Sequence, residues 1–473
     1  MTVGLFNDSF PPTIDGVANV TVNYARIIER DYGRAVVATP YYPNVTDDYP
    51  FEVVRYPSVY IKNEYGYRAG YPFDQRVLSR LEREGIDIIH SHCPYVSTVL
   101  ARVLRYATGV PIVFTYHTKF DIDIDRVFAS DALRRASIKF LIGNINACDD
   151  VWVVSQGAGE NLRSLGYEGD FIVMENGTDF ERRRACDADV AELRAKHDIK
   201  EDETVFLFVG RMMWYKGVKL SLDGLRAARE SGAKCRFILI GKGPDFDPIS
   251  DYIKELGMDD CCEMTGAIYD RELLRTYFTL ADLFLFPSSF DTNGIVVREA
   301  AACYCPSLLL RGSCAAEGIS DGETGIIVDN DAVQMRDRIL WACDNQGKLA
   351  EMGSRAAQQI YISWDDAIAK ACARYREVLG RKDRTREDEH TLREAWGTAF
   401  EQLVDSVSFT RDQMRELMWS TRDRVDQLMG QAGLKRSGNV RLGRARKLRL
   451  AVKRAEMKGK RVLHHRKKSD KKN

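Results

Sequence analysis

The chain has 473 residues, 45% of them hydrophobic and 29% charged, with 69 Lys or Arg balanced by 69 Asp or Glu. That length supports two to three domains with full-sized cores, and the composition excludes a collagenous, low-complexity or disulfide-dense chain. The neutrality conceals an asymmetry: residues 434–473 hold 17 Lys or Arg against two acids, Glu456 and Asp470, so the tail carries +15 and the rest −15.

Along the chain, short apolar runs alternate with stretches of helical period. Strands are expected at residues 3–6, 35–38, 86–90, 112–116, 151–154 and 171–174, and again at 205–209, 236–240, 263–265, 283–286, 307–310 and 325–328. Helices are expected at 19–29, 76–84, 96–106 and 220–230. Strands apolar throughout belong to parallel sheets covered on both faces. About twelve strands would be unusual in one sheet, and residues 176–202 are polar and charged, as a linker is. An α/β fold of two Rossmann-like domains, 1–180 and 181–362, is the economical arrangement, with ligands expected beyond the carboxyl ends of the strands.

Residues 364–379 form one amphipathic helix in the segment 363–380. The extension 381–433 repeats apolar residues at helical spacing, including Leu392, Trp396, Phe400, Leu403 and Val407, a face suited to packing on the body or on a second copy. The basic tail 434–473 interleaves Leu448, Val452 and Leu463 with cations. It reads either as a basic amphipathic helix on an anionic membrane or as a solvated disordered tail. Nucleic acid is not expected, because aromatic residues for stacking on bases are absent from the tail.

The 11 cysteines are scattered through mostly apolar runs, and neither Cys261-Cys262 nor Cys303-x-Cys305 has zinc-site spacing. Buried reduced thiols in a cytosolic protein are expected. The first residues enter a strand with no secretory-leader pattern, and no run of about 18 apolar residues predicts a spanning helix. Any membrane contact is therefore expected to be peripheral.

Chemistry concentrates after two strands. The segment VGRMMWYKG puts Arg211 and Lys216 behind the strand at 205–209, where two fixed cations suit phosphates. Further on, PSSFDTNGIVVRE places Asp291 and Glu299 across the start of a helix that opens at Gly294. A helix start attracts a diphosphate, and carboxylates accept hydrogen bonds from sugar hydroxyls. Together they suit a nucleotide sugar.

With these segments, FNDSFPPTIDGVANV, IIHSHCPY, VFTYHTKF, VVSQGAGENL, MENGTDF, LIGKGP, GAIYDRELLRTYFTLADLFLFPS and GISDGETGIIV, the chain resembles GT-B glycosyltransferases of the retaining, nucleotide-sugar-using family 4 type over roughly residues 1–380. The TYHT and DGVA stretches are similar to diacylglycerol glucosyltransferases. The resemblance implies two domains facing across a cleft, with the 363–380 helix crossing back to the first domain. It implies transfer of a hexose, glucose, from a UDP-linked donor to a lipid such as diacylglycerol at the inner face of the cell membrane. The other readings are transfer to a polyprenol-linked glycan or surface polysaccharide, and an inactive binding scaffold.

By the same resemblance, His117, Arg211, Lys216 and Asp291 are the catalytic residues. Arg211 and Lys216 would neutralise the leaving diphosphate, and His117 would lie near the reacting sugar. Donor binding would add Gly16, whose bare backbone admits the diphosphate, Ile268 near the base, the backbone of Asn293, Gly294 and Ile295, and Glu299 on the ribose. Asp291 replaces the glutamate usual at its position and is one methylene shorter. His90 and His92 are read as packing or loop-orienting residues, Asn176-Gly177 as the joint between domains, and Lys242-Gly243 as a nucleotide-side loop. The acidic run at Asp121, Asp123 and Asp125 invites a metal reading, but no His or Glu cluster supports it. No metal or other cofactor is expected.

Overall fold

The structure, a computed structural model, describes residues 1–13, 15–60, 68–120, 124 and 130–381. The 381–433 extension beyond Arg381, the 434–473 tail and the Asp121–Asp125 carboxylates lie outside the described residues.

Strands β1 (Thr2–Phe6), β2 (Arg34–Pro40), β3 (Glu52–Tyr56), β6 (Ile88–Ser91), β7 (Ile112–Tyr116), β8 (Asp150–Val153) and β9 (Ile172–Val173) form one parallel sheet in the order β3-β2-β1-β6-β7-β8-β9. A short antiparallel pair, β4 (Ser58–Tyr60) and β5 (Arg68–Gly70), stands beside it. A second parallel sheet has β10 (Thr204–Val209), β11 (Cys235–Ile240), β12 (Cys262–Gly266), β13 (Leu283–Phe286), β14 (Ser307–Leu310) and β15 (Gly325–Val328), in the order β12-β11-β10-β13-β14-β15. Strands β7, β13 and β15 are buried along their whole length, as strands covered by helices on both faces must be. The strand order reverses between β1 and β6 in the first sheet and between β10 and β13 in the second. A ligand crevice opens at such switch points.

The chain crosses between the domains twice at one place. Thr178 N–H donates to the Ile362 carbonyl at 3.0 Å. A Cβ on Gly177 would lie 2.5 Å from the Trp364 nitrogen, so only glycine permits this approach. Ser363 then caps the helix Trp364–Gly380, which returns to the first sheet and buries Trp364, Ile368 and Tyr375 in its core. Each such side chain stabilises the docking by ~1.5–3 kcal/mol. Arg374 and Arg381 add ion pairs to Asp150, each at 2.8 Å. Elsewhere Glu317 accepts the N–H groups of Gln156 and Gly157, at 2.6 and 2.7 Å, from the start of helix Gln156–Ser164.

Three elements differ from the sequence expectations. Strand β3 reads EVVRY, with its buried positions limited to Val54 and Tyr56, so its apolar signal is weak. The β4–β5 pair is too short to show a period. The polar stretch 176–202 contains a helix, Asp187–Lys196, held to the second core by Leu193 alone among its fully buried residues.

Candidate active site

The second switch point is built by the loops after β10 and β13. Gly210 N–H donates to Ile240 at 3.0 Å, and Met212 is fully buried, so both sides of Arg211 are fixed. Arg211 itself is exposed and forms no ion pair or hydrogen bond among the described residues. Trp214–Lys216 make one 3-10 turn, closed by Gly217 at φ +82°. A Cβ on Gly217 would fall 2.2 Å from the Pro287 carbonyl oxygen. This glycine lets the two loops touch, and Lys216 Nζ comes to 2.7 Å from the Asp291 carboxylate and 5.3 Å from the Phe286 ring centre.

Asp291 also accepts the N–H groups of Asn293 (3.1 Å) and Gly294 (2.8 Å). Burial pushes its carboxyl up, but Lys216 and these N–H groups prevail and hold it below the usual carboxylate range. Two of the three amides expected to meet a ligand, those of Asn293 and Gly294, are therefore engaged by Asp291. Gly294, at φ +61°, starts the helix Ile295–Ala302, whose first N–H groups, on Ile295 and Val296, are those a helix start leaves open. Asn293 is buried, with its carbonyl groups accepting from Arg298 and its Nδ2 unpartnered among the described residues. Arg298 reaches Glu175 on the facing side.

Glu299 lies on the same helix, with Arg271 3.0 Å away. Burial pushes its carboxyl up and Arg271 offsets this only in part. Arg271 is stacked on Phe180 at 4.1 Å. Ile268 sits half-buried on the core just beyond β12, beside Tyr269, which is 86% exposed. Gly243 packs against the Met212 backbone, so the Lys242-Gly243 loop adjoins the Arg211 loop.

Across the cleft, Gly16 opens the helix Gly16–Ile27 behind an Asp15 cap, is exposed, and would offer a Cβ no atom within 4 Å. His117 follows β7 and is 8% exposed. Its Nε2 is 3.0 Å from His92 Nδ1, and burial holds its pKa down at about 3. His90 is clamped between Tyr375 and Thr115, each at 2.6 Å. Two residues after His117, Lys119 Nζ lies 5.6 Å from the Phe290 ring centre, so this loop meets the one carrying Asp291.

Lys216 and Asp291 are thus brought into direct contact, Asn293 and Gly294 lead into the helix Ile295–Ala302, and Ile295 and Glu299 lie on it. Arg211 lies on the same loop after β10 as Lys216, and Ile268 follows β12. His117 approaches from the other domain, and Gly16 stands at that domain's own switch point. Sequence reasoning did not single out Lys119, Phe290 or Arg271, although they lie inside the segments VFTYHTKF, PSSFDTNGIVVRE and GAIYDRELLRTYFTLADLFLFPS, nor Glu317, which lies outside every quoted segment. Among the described residues no group of three or more His, Cys, Asp or Glu is arranged to hold a metal ion, and no helix is long and apolar enough to cross a membrane.

The family model for glycosyl transferases group 1 matches residues 189–359, and that for glycosyltransferase family 4 matches residues 14–182. The alpha-monoglucosyldiacylglycerol synthase of Streptococcus pneumoniae is 23% identical over 310 residues, 65% of this chain and 70% of that protein. The protein of the same name from Acholeplasma laidlawii is 24% identical over 337 residues, 69% and 84% respectively. Among solved structures, HepE from Anabaena in complex with UDP superposes with a TM-score of 0.62 at 16% identity, covering 80% of this chain and 99% of that one.

Proposed function

Because this chain belongs to the glycosyltransferases of group 1 and family 4, with a GT-B fold, we propose that it moves glucose from UDP-glucose to diacylglycerol at the cytosolic face of the membrane, with retention of configuration. The observation that carries this reading is the Lys216–Asp291 pair at the head of the Ile295–Ala302 helix. The diphosphate lies on the open N–H groups of that helix, with Arg211 as a free cation beside it. Lys216 turns from Asp291 to a phosphate oxygen, and Asp291 becomes available to a sugar hydroxyl. Glu299 exchanges Arg271 for ribose hydroxyls, the Ile268 backbone meets the base, and Gly16 admits the diphosphate from the other side. None of these contacts requires a metal.

The bond between the anomeric carbon and phosphate breaks while the acceptor oxygen bonds on the same face, and the acceptor proton passes to the leaving phosphate. Charge builds on that phosphate, where two preorganised cations act. His117, neutral at physiological pH, serves as a hydrogen-bond partner of the sugar rather than as a proton carrier. The two similar glucosyldiacylglycerol synthases support the glucosyl donor and the lipid acceptor. The tail, with its +15 charge, supports an anionic membrane surface, each cation contributing ~1 kcal/mol.

The test is release of UDP from UDP-glucose in the presence of vesicles containing diacylglycerol, polyprenol phosphate or neither. Release with diacylglycerol alone is expected. Release only with the polyprenol lipid moves the acceptor to lipid-linked glycan, and none with any lipid or donor leaves a binding scaffold.

A further inference from the structure

Beside the donor loops stands a group of three histidines that the proposed reaction uses in only one member. His90 and His92 project from the end of β6 and the loop behind it, with ring centres 4.0 Å apart, and His92 and His117 stack with centres 5.2 Å apart. Tyr24 covers both His90 and His92 edge to face. The His92 N–H of the main chain donates to Phe6 at 2.8 Å, so the ring is held by its backbone as well as by its neighbours.

We propose that His92 is a positioning residue that fixes the ring tautomer of His117, so that His117 presents Nδ1–H to the cleft. This rests on the proposed reading in which His117 faces the transferred sugar. The 3.0 Å contact between His92 Nδ1 and His117 Nε2 needs one proton and one lone pair. The remaining nitrogen of His92, Nε2, is buried without a partner. His90 cannot serve it, because both of its ring nitrogens are occupied by Tyr375 and Thr115.

If His117 donated, His92 would carry its own proton on the orphaned Nε2. A buried N–H with no acceptor is the rarer and costlier orphan. The opposite assignment leaves only an unused lone pair. His92 therefore donates from Nδ1, His117 accepts at Nε2, and the His117 proton sits on Nδ1. A fixed donor aimed at one place distinguishes oxygen acceptors on a sugar, whereas a ring free to exchange tautomers would not.

The experiment uses the full chain labelled with 15N-histidine, with His117 assigned by difference against His117→Gln. Two-bond 1H–15N correlations in the ligand-free protein are expected to show His117 protonated on Nδ1. The amide of His92→Asn can occupy the place of Nδ1 and donate, so this variant is expected to keep the tautomer and a near wild-type kcat. His92→Gln puts its amide at the place of Nε2 instead. It is expected to lose the tautomer bias and to lower kcat at least about tenfold, with the donor KM and the unfolding midpoint unchanged. Protonation of His117 on Nε2 in the wild type overturns the proposal, as does an Asn variant no better than Gln. The expected tautomer in a protein that turns over no donor would contradict the proposed function and leave the histidine geometry standing.

Discussion

Lys119 Nζ, on the loop behind β7, lies 5.6 Å from the centre of the Phe290 ring, on the residue before Asp291. This contact joins the loop after β7 of the first domain to the loop after β13 of the second. A cation over an aromatic face contributes ~0.5–1 kcal/mol at a partly exposed position. Lys119→Met is therefore expected to leave the unfolding midpoint within a few degrees of wild type while lowering kcat/KM by about three- to fivefold. Phe290→Leu is expected to do the same, and the double variant no more than either. Additive losses would show that the two residues act separately.

The Lys216–Asp291 pair gives a sharper expectation. Both side chains are largely buried, so Lys216→Met strands a carboxylate and is expected to cost ~1–3 kcal/mol of stability. Turnover should fall by at least about a hundredfold, the usual consequence of removing a donor to developing charge. Asp291→Asn retains an oxygen for the Asn293 and Gly294 amides, so the loop should hold its shape and donor discrimination should suffer most. Urea unfolding and donor-panel kinetics read these separately. A Lys216→Met protein with wild-type kcat would remove the lysine from the chemistry.

Two glycines separate folding from binding. Gly294 needs φ +61°, and an added Cβ would sit 2.9 Å from the Ala315 Cα, so Gly294→Ala is expected to destabilise by ~1–3 kcal/mol. Gly16 has open space around its missing side chain. Gly16→Ala should keep the wild-type unfolding temperature yet weaken UDP binding about tenfold, or ~1.4 kcal/mol, by calorimetry. Unchanged UDP affinity would mean that the diphosphate does not approach Gly16.

The sheets were largely legible because parallel strands buried on both faces read as continuous apolar runs: 112–116, 283–286, 307–310 and 325–328 match their strands end to end. Strand β3 was not legible, since an edge strand with only two fully buried side chains resembles a loop. Arg211, Lys216, Asp291 and Glu299 could be singled out as candidates because charged residues follow apolar strands there, and the structure brings Lys216 and Asp291 into contact. What the sequence withheld were pairings between distant loops. Nothing local announces that Asp291 engages the Asn293 and Gly294 amides, that Arg271 meets Glu299, or that Glu317 caps a helix of the other domain.

The histidines predict a pH dependence. Native His117 remains neutral down to about 3, whereas in the unfolded chain it titrates near 6.5. Above 6.5 it is neutral in both states and stability is full. As pH falls from 6.5 toward 3, the unfolded chain gains a proton the native one refuses, and stability drops by up to ~1.4 kcal/mol per pH unit. His90 and His92 shift in the same direction. Glu299, raised by burial, acts in the opposite sense, so wild type is best compared with His117→Asn. Urea midpoints should fall from pH 7.5 to 5.5 in both proteins and less steeply in the variant. Equal slopes would contradict a buried neutral His117.

The most direct measurement is mass spectrometry and NMR of the lipid product after full-length protein acts on 13C-labelled UDP-glucose with diacylglycerol vesicles. A labelled α-glucosyl diacylglycerol is expected, lost in Lys216→Met and Glu299→Ala. A β-linked product, or labelled glycolipid formed equally by those variants, would contradict the proposed function.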